Sequence, residues 1–344
     1  MRVTILNPAL DRAYEDFLLS HETSLIYHSP SYRDFLQDVA GGEPKYLLAL
    51  DHQDSIRGAL PLFFKRGPHG TVCNSLPFFG SIGGLVGATP EARSALLAQY
   101  NRFIADPEIA TATIIENPLD RRDNDDIKRD MTDYRIGQIT PLPDSGDIAA
   151  ALMSMFHPKT RNMVRKAEKS GILVEVDETA YDFLEDVHEK TISALGGIVK
   201  PPAFFKFVQK HFASARSRRL YVARHEGELV AALLVLYFNK TAEYFVPVTR
   251  SDFRQLQPLS LIIYRAMIDA GRDGFRTWNW GGTWQSQEGV YHFKKRWGTQ
   301  DRRYTYYTRI KNRKLLKLTR EEILREYPWY FVLPFASLHS QMPP

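Results

Sequence analysis

The stretch that decides the fold is Lys45–Gly67, KYLLALDHQDSIRGALPLFFKRG, read beside Arg219–Arg250, RLYVARHEGELVAALLVLYFNKTAEYFVPVTR. In the first, apolar residues from Tyr46 to Leu50 predict a strand, DHQDS a polar turn, and Ile56 to Phe64 a returning strand. In the second, Leu220–Ala223, the turn HEGE and a long run from Leu229 make the same hairpin, and Ala242–Val248 adds a third strand. Ala49 answers Ala223, and Gly58-Ala59 answers Ala231-Ala232, an offset of about 174 residues in a chain of 344.

A helix follows each hairpin. TPEARSALLAQYNRFI sets Thr89 as N-cap and Pro90 at the first helical position. QPLSLIIYRAMIDAGRDG starts at Pro258 and closes near Gly271 or Gly274. Each helix feeds a strand, Ala112–Asn117 and Phe275–Trp280. The order helix, hairpin, strand, helix, strand therefore occurs twice, which predicts an α/β fold made of two copies of one domain. The boundaries expected are residues 1–145 for the first copy, 146–171 for a connecting segment with a basic helix, 172–310 for the second copy, and 311–344 for a closing helix and apolar tail.

Bulk composition narrows the class. Two domains are the default at this length. Hydrophobic content of 44% and charged content of 25% are globular values. Cys73 is the one cysteine, so there is no intrachain disulfide and no Cys-rich zinc site. No stretch reaches the length of about 18 apolar residues that a membrane span needs, and the first residues lack a signal-peptide core. These features predict a cytoplasmic protein with peripheral membrane contact as an option, and no bound metal. The longest apolar runs, such as LVAALLVLYF, suit buried strands.

Two segments stand out by charge. HPKTRNMVRKAEKSG, His157–Gly171, carries Glu168 as its only acid. On a helix Arg161, Arg165 and Lys169 share one face, Val164 and Ala167 another. The segment reads as a joint between the halves, and its Arg face as either solvated or a grip for substrate phosphate. Residues 290–320 hold eleven Lys or Arg against Asp301, in a chain of net charge +5. Such a surface attracts phosphates, nucleic acid or anionic lipid, or is simply solvated. Downstream, Thr319 and Glu322 form a capping box for one more helix. The tail PWYFVLPFASLH is too short to span a bilayer and is expected to dock on the second domain or touch a membrane surface.

Three stretches resemble the Fem-type aminoacyltransferases and the wider GNAT-like acyltransferases: KTRNMVRKAEKSG, LPFFGSIGG at Leu76–Gly84, and WNWGGTWQSQEGVYHFKKRWG at Trp278–Gly298. With the repeat, the likeness covers about residues 20–310. It implies two tandem GNAT-like domains, each a mixed sheet flanked by helices, with a cleft between them. It also implies transfer of an acyl or aminoacyl group onto an amine. Members act on peptidoglycan precursors with aminoacyl-tRNA, and relatives include envelope and polysaccharide acyltransferases. No permanently bound cofactor is implied. The donor is aminoacyl-tRNA or acyl-CoA, and the acceptor an amine, phosphate-bearing in some members.

Acyl transfer asks the protein to hold an amine near an activated carbonyl, remove a proton and stabilise an oxyanion. The resemblance places Lys294 near the reacting carbonyl and makes Phe293 a pocket wall. Gly281 and Gly282, directly after a strand, suit close approach of backbone to a ligand or a tight turn. Phe78, Gly80, Gly83 and Gly84 occupy the comparable place in the first half. Asn279 and Trp284 either line the opening or pack. His292 and Glu288 lie near enough in sequence to accept the proton, yet suit surface positions equally.

Two departures from the family pattern matter. The glycine-containing turn that binds the CoA pyrophosphate in a standard GNAT domain is replaced by RSDFRQLQPLS, Arg250–Ser260, and by GLVGATPEA in the first half. This tilts the donor toward aminoacyl-tRNA. The long helical arm of some Fem enzymes is missing between Thr179 and Arg219, and where compact members carry a phosphate-gripping Lys, HSPSYRDFLQD offers only Arg33. Acyl-CoA-dependent transfer to an amino sugar or small amine, and an RNA- or scaffold-binding module without turnover, are the competing readings. The last lacks any aromatic-rich RNA-recognition motif.

Overall fold

A computed structural model describes residues 1–78, 80–122, 124–144, 146–284 and 286–334. The chain forms two units, one of residues 1–135 with 303–344 and one of residues 136–302. The first runs β1 (Arg2–Ile5), α1 (Asp11–Leu19), α2 (Pro30–Ala40), β2 (Glu43–Pro44), β3 (Leu47–Leu50), β4 (Ile56–Leu60), β5 (Phe63–Gly67), β6 (Gly70–Asn74), α3 (Pro90–Ala105) and β7 (Ile109–Ile115), and leaves the unit within β8 (Met131–Pro141). The second continues α4 (Ile148–Met155), α5 (Pro158–Lys169), β9 (Leu173–Val176), α6 (Tyr181–Ala194), α7 (Phe204–His211), β10 (Arg218–His225), β11 (Glu228–Phe238), β12 (Thr241–Thr249), α8 (Pro258–Arg272), β13 (Thr277–Thr283) and α9 (Glu288–Lys295). The chain returns to the first unit within β14 (Gln300–Ile310) and ends its described helices at α10 (Arg320–Glu326).

The repeat is carried by register. Ala49 pairs with Gly58 and Leu48 with Ala59 across the antiparallel β3–β4 hairpin. Ala223 pairs with Ala231 and Val222 with Ala232 across β10–β11. In each unit a helix then links two parallel strands, α3 between β6 and β7, and α8 between β12 and β13. Each parallel pair is flanked by an antiparallel strand, β14 on β7 and β8 on β13. Sequence and structure differ in how far the hairpins run. The strand expected from Ile56 to Phe64 breaks into β4 and β5, because Pro61 has no N–H for a ladder. β11 lacks a proline and continues through Phe238.

The helix starts are as the capping pattern predicts. Thr89 caps α3 by accepting the Ala92 N–H, with Pro90 at its first position. Thr319 and Glu322 form the capping box of α10. Core packing follows periodicity: Leu96, Leu97, Tyr100 and Ile104 of α3 meet Leu47, Ala49, Leu60 and Cys73 in the first unit. Ile262, Ile263, Ala266 and Met267 of α8 meet Tyr221, Ala223, Ala231 and Leu233 in the second.

Two segments group otherwise than the sequence suggests. The basic helix α5 is not a joint but part of the second unit. Val164 and Ala167 are fully buried in its core, and α5 packs on α8. The tail docks on the first unit, not the second. The Asn74 amide pairs with both the N–H and the C=O of Phe331, at 2.8 Å each. Tyr327 donates to the Gly70 carbonyl at 2.9 Å and Tyr330 to the Gly41 carbonyl at 2.7 Å. Apolar residues alone favour burial without naming a surface; the matching amide and hydroxyl partners select it. Tail residues 335–339 of the quoted stretch lie outside the described residues.

Candidate active site

The second unit assembles its chemistry at the end of β13. β12 and β13 share three parallel rungs, Thr241–Glu243 with Thr277–Asn279. On its other side β13 pairs Asn279 with Ile139, then jumps to Gly282 with Gly137, so Trp280 and Gly281 bulge opposite Gln138. Gly281 sits at φ +70, a left-handed conformation that side chains disfavour, and its N–H donates to the Asn279 side-chain oxygen at 3.0 Å. Asn279 is fully buried, and its Nδ2 has no partner among the described residues.

The bulge aims the Gly282 carbonyl and the Thr283 hydroxyl at Lys294 on α9. Its ammonium donates to Thr283 Oγ1 at 2.9 Å and to the Gly282 oxygen at 3.3 Å. Lys294 is 6% exposed, and burial pushes its pKa down to about 8. Phe293 meets Trp280 edge-on at 6.1 Å and lies 6.3 Å from Trp297. Trp284 is half-buried beside the same strand end, its N–H on Gln287 Oε1 at 3.3 Å. Glu288 and His292 are on the exposed side of α9.

The start of the basic helix belongs to this neighbourhood. The Arg296 carbonyl, just past α9, accepts the His157 N–H at 2.9 Å and the Thr160 hydroxyl at 3.2 Å. Arg161 turns back and donates to the Phe156 carbonyl at 2.9 Å, which caps the end of α4. Arg165 is exposed and makes no side-chain hydrogen bond or ion pair among the described residues. Arg161→Ala is therefore expected to lower stability by about 1 kcal/mol, read by urea denaturation. Arg165→Glu leaves stability unchanged within about 0.5 kcal/mol. Equal losses in both variants would contradict this division of labour.

The motif of the first unit is a cradled loop. His28 Nδ1 accepts the Leu25 N–H at 3.0 Å, so Nε2 carries the hydrogen that meets the Gly83 carbonyl at 3.2 Å. Gly84, at φ +89, lies where a Cβ would come within 2.8 Å of the Ile115 carbonyl. Ser81 and Tyr32 share a hydroxyl hydrogen bond of 2.6 Å, and Phe78 lies 5.1 Å from Trp329. Gly80 faces open space. Arg33 is engaged by Asp11 at 2.7 Å and Asp34 at 2.8 Å.

Burial holds His28 neutral, with its pKa down to about 4. Its folded pKa lies below its unfolded value, so the unfolded chain binds more protons between pH 6.5 and 4, and stability falls as pH falls through that window. Urea denaturation at steps across it should show a shallower loss in His28→Leu than in the parent. Parallel curves would rule His28 out as a contributor.

Of the residues the sequence singles out, the structure gathers Asn279, Gly281, Gly282, Trp284, Phe293 and Lys294 in the second unit, with Arg161 and Arg165 on α5. Phe78, Gly80, Gly83 and Gly84 form a separate loop of the first unit. Gln138 and Thr299 join the Lys294 group without any sequence signal, as does Thr283, which lies inside the quoted Trp278–Gly298 stretch but has nothing there to single it out. Gln138 is fully buried on β8, in a strand with no motif. The run of cations at 290–320 is not one face. Lys294 is buried, Lys295 pairs with Asp301 at 3.0 Å, and Arg309 pairs with Asp130 at 3.0 Å.

Comparison with known proteins agrees with this architecture. Residues 155–295 match the acetyltransferase (GNAT) domain family. The structure of FemX is similar over 92% of this chain and 98% of that one, at 16% identity and TM-score 0.70. A tandem GNAT protein from the clavulanic acid pathway is similar over 90% and 98%, at 13% identity and TM-score 0.54. The C-terminal domain of a putative lysylphosphatidylglycerol synthetase from Agrobacterium fabrum is similar over 88% and 92%, at 12% identity and TM-score 0.52. No curated protein sequence matches the chain. Residues 155–295 thus carry a GNAT domain, and the chain shares the fold of the GNAT-like proteins. Among the described residues no helix is long and apolar enough to cross a membrane.

Proposed function

We propose that the protein transfers an acyl or aminoacyl group from an activated ester or thioester donor to an amine. The observation that carries this is the buried Lys294 ammonium, held by two neutral oxygens and, among the described residues, by no carboxylate, beside the Gly281-Gly282 bulge. Two of its three hydrogens are engaged, which leaves one direction for a developing oxyanion. Phe293 supplies a wall that keeps the site dry, and low polarity strengthens the interaction. The GNAT match and the likeness to FemX support the reaction class.

The donor reading favours aminoacyl-tRNA over acyl-CoA. A pyrophosphate cradle needs free N–H groups at a helix start. At α8, Pro258 has no N–H, Gln257 is left-handed, and the Ser260 N–H is used by the Gln257 carbonyl at 3.0 Å. At α3, Pro90 again lacks one and Thr89 takes the Ala92 N–H. The acceptor read from the family likeness is an amine of the cell envelope: a peptidoglycan precursor, glycan or lipid headgroup. Cytoplasmic location and absence of a resident cofactor belong to the same reading.

The test is direct. Purified protein is incubated with a panel of charged tRNAs and acyl-CoAs plus amine acceptors, and products are identified by mass spectrometry. Transfer from a charged tRNA supports the whole reading. Transfer from acyl-CoA alone keeps the reaction and replaces the donor. Salt-dependent RNA binding with no turnover from any donor would overturn it.

A further inference from the structure

Lys294 is held by a hydrogen-bond chain whose direction is fixed at its far end. The Tyr291 backbone carbonyl can only accept, so the group of Gln138 that meets it at 3.2 Å is the NH2. The same NH2 lies 3.4 Å from Thr299 Oγ1. The other end of the amide is therefore the oxygen, and it faces Thr283 Oγ1 at 3.3 Å. A threonine hydroxyl has one hydrogen. With an amide oxygen in front of it, Thr283 gives that hydrogen to Gln138 and turns its lone pairs to Lys294, 2.9 Å away. Lys294 thus spends one hydrogen on Thr283 and one on the Gly282 carbonyl. Its third position is a hydrogen when charged and a lone pair when neutral.

We propose that Gln138 is a positioning residue that forces Thr283 to accept from Lys294, so that the one remaining position of the amine is what changes when it gains or loses a proton. The bulge is what makes room for it, since Trp280 and Gly281 together face the one residue Gln138. Without Gln138 the Thr283 hydrogen is free to turn to the neutral amine, tie up its lone pair and favour the uncharged form.

The inference rests on Lys294 as the reactive group of the site, but its test needs no turnover. Competitive labelling with acetic anhydride across pH 6–11, read per lysine by mass spectrometry on the intact protein, reports when Lys294 becomes a free amine. The charged groups on the surrounding elements are Glu288, His292 and Lys295 on α9 itself, Arg296 just past it, the buried Glu243 of β12, which pairs with Asn279, and Asp301, which is bound to Lys295 and to the Tyr291 hydroxyl. None stands on residues 136–141 of β8 or 277–283 of β13. All are unchanged by the variants.

The parent midpoint is expected near pH 8. Gln138→Leu and Thr283→Val should each move it down by about one unit, because the first lets the hydroxyl stabilise the neutral amine and the second removes an acceptor from the charged one. Gln138→Glu should move it up by about one unit through its added charge. Thr283→Ser should restore the parent midpoint. Midpoints that coincide in all four folded variants, checked by circular dichroism, overturn the proposal. A downward shift on Thr283→Val with none on Gln138→Leu also overturns it, since Gln138 would then be idle. Loss of the proposed acyl transfer as a function would leave these midpoints where they are.

Discussion

Lys294→Met is expected to abolish transfer while leaving the protein folded. The substitution keeps a long unbranched side chain in a buried slot and deletes only the ammonium. Two opposing effects meet in stability. The Gly282 carbonyl and Thr283 hydroxyl each lose a donor, at about 1–3 kcal/mol for a buried group left unpaired. Against this, a buried charge with no carboxylate partner disappears, which is favourable by a comparable amount. The net change in melting temperature is small. Activity has no such compensation, since an ammonium aimed at a developing oxyanion is worth about 10²–10³-fold or more in rate. Transfer assays by mass spectrometry and a thermal melt on one preparation decide it. A variant with full activity removes Lys294 from the mechanism.

Trp297→Ala is expected to have the largest effect on stability. Trp297 is fully buried and touches Phe156 at 4.9 Å, Trp280 at 5.6 Å and Phe293 at 6.3 Å, ring to ring. It therefore ties the end of α4, the bulged strand β13 and the motif helix α9 into one cluster. Its Nε1 has no hydrogen-bond partner among the described residues, so the substitution removes packing and little that is polar. Truncating a buried Trp costs about 3–5 kcal/mol, which is a fall of roughly 10 °C for the second unit. Phe293 loses a wall as well, so residual transfer measured well below the melt should drop too. An unchanged denaturation midpoint would show that the cluster is not a keystone of this unit.

The reach of the sequence is uneven for physical reasons. The paired hairpins were readable because small residues mark their facing positions: Ala49 with Gly58, and Ala223 with Ala231. Pro61 was in plain view, and its missing N–H explains why the first hairpin shifts to a new strand where the second runs on. α5 looked like a linker because its polar face dominates; only Thr160, Val164 and Ala167 reveal that it is anchored. Lys294 stood out through its motif neighbours, but its slot did not, since burial is a property of the fold. Gln138 was invisible. Its partners Tyr291 and Thr299 lie over 150 residues away, and an isolated Gln in a strand carries no local pattern.

The crossing of the chain at 135–136 and its return at 302–303 set an order of events during synthesis. The second unit is one continuous stretch, whereas the first waits for strand β14 and the tail that Asn74 grips. A nascent chain therefore carries an unfinished N-terminal unit, with β7 lacking its β14 partner, until some 170 further residues have emerged. The half that is made first is completed last. The exposed edge of β7 in that interval is the point at which this protein would call on a chaperone, or pair wrongly with a neighbour.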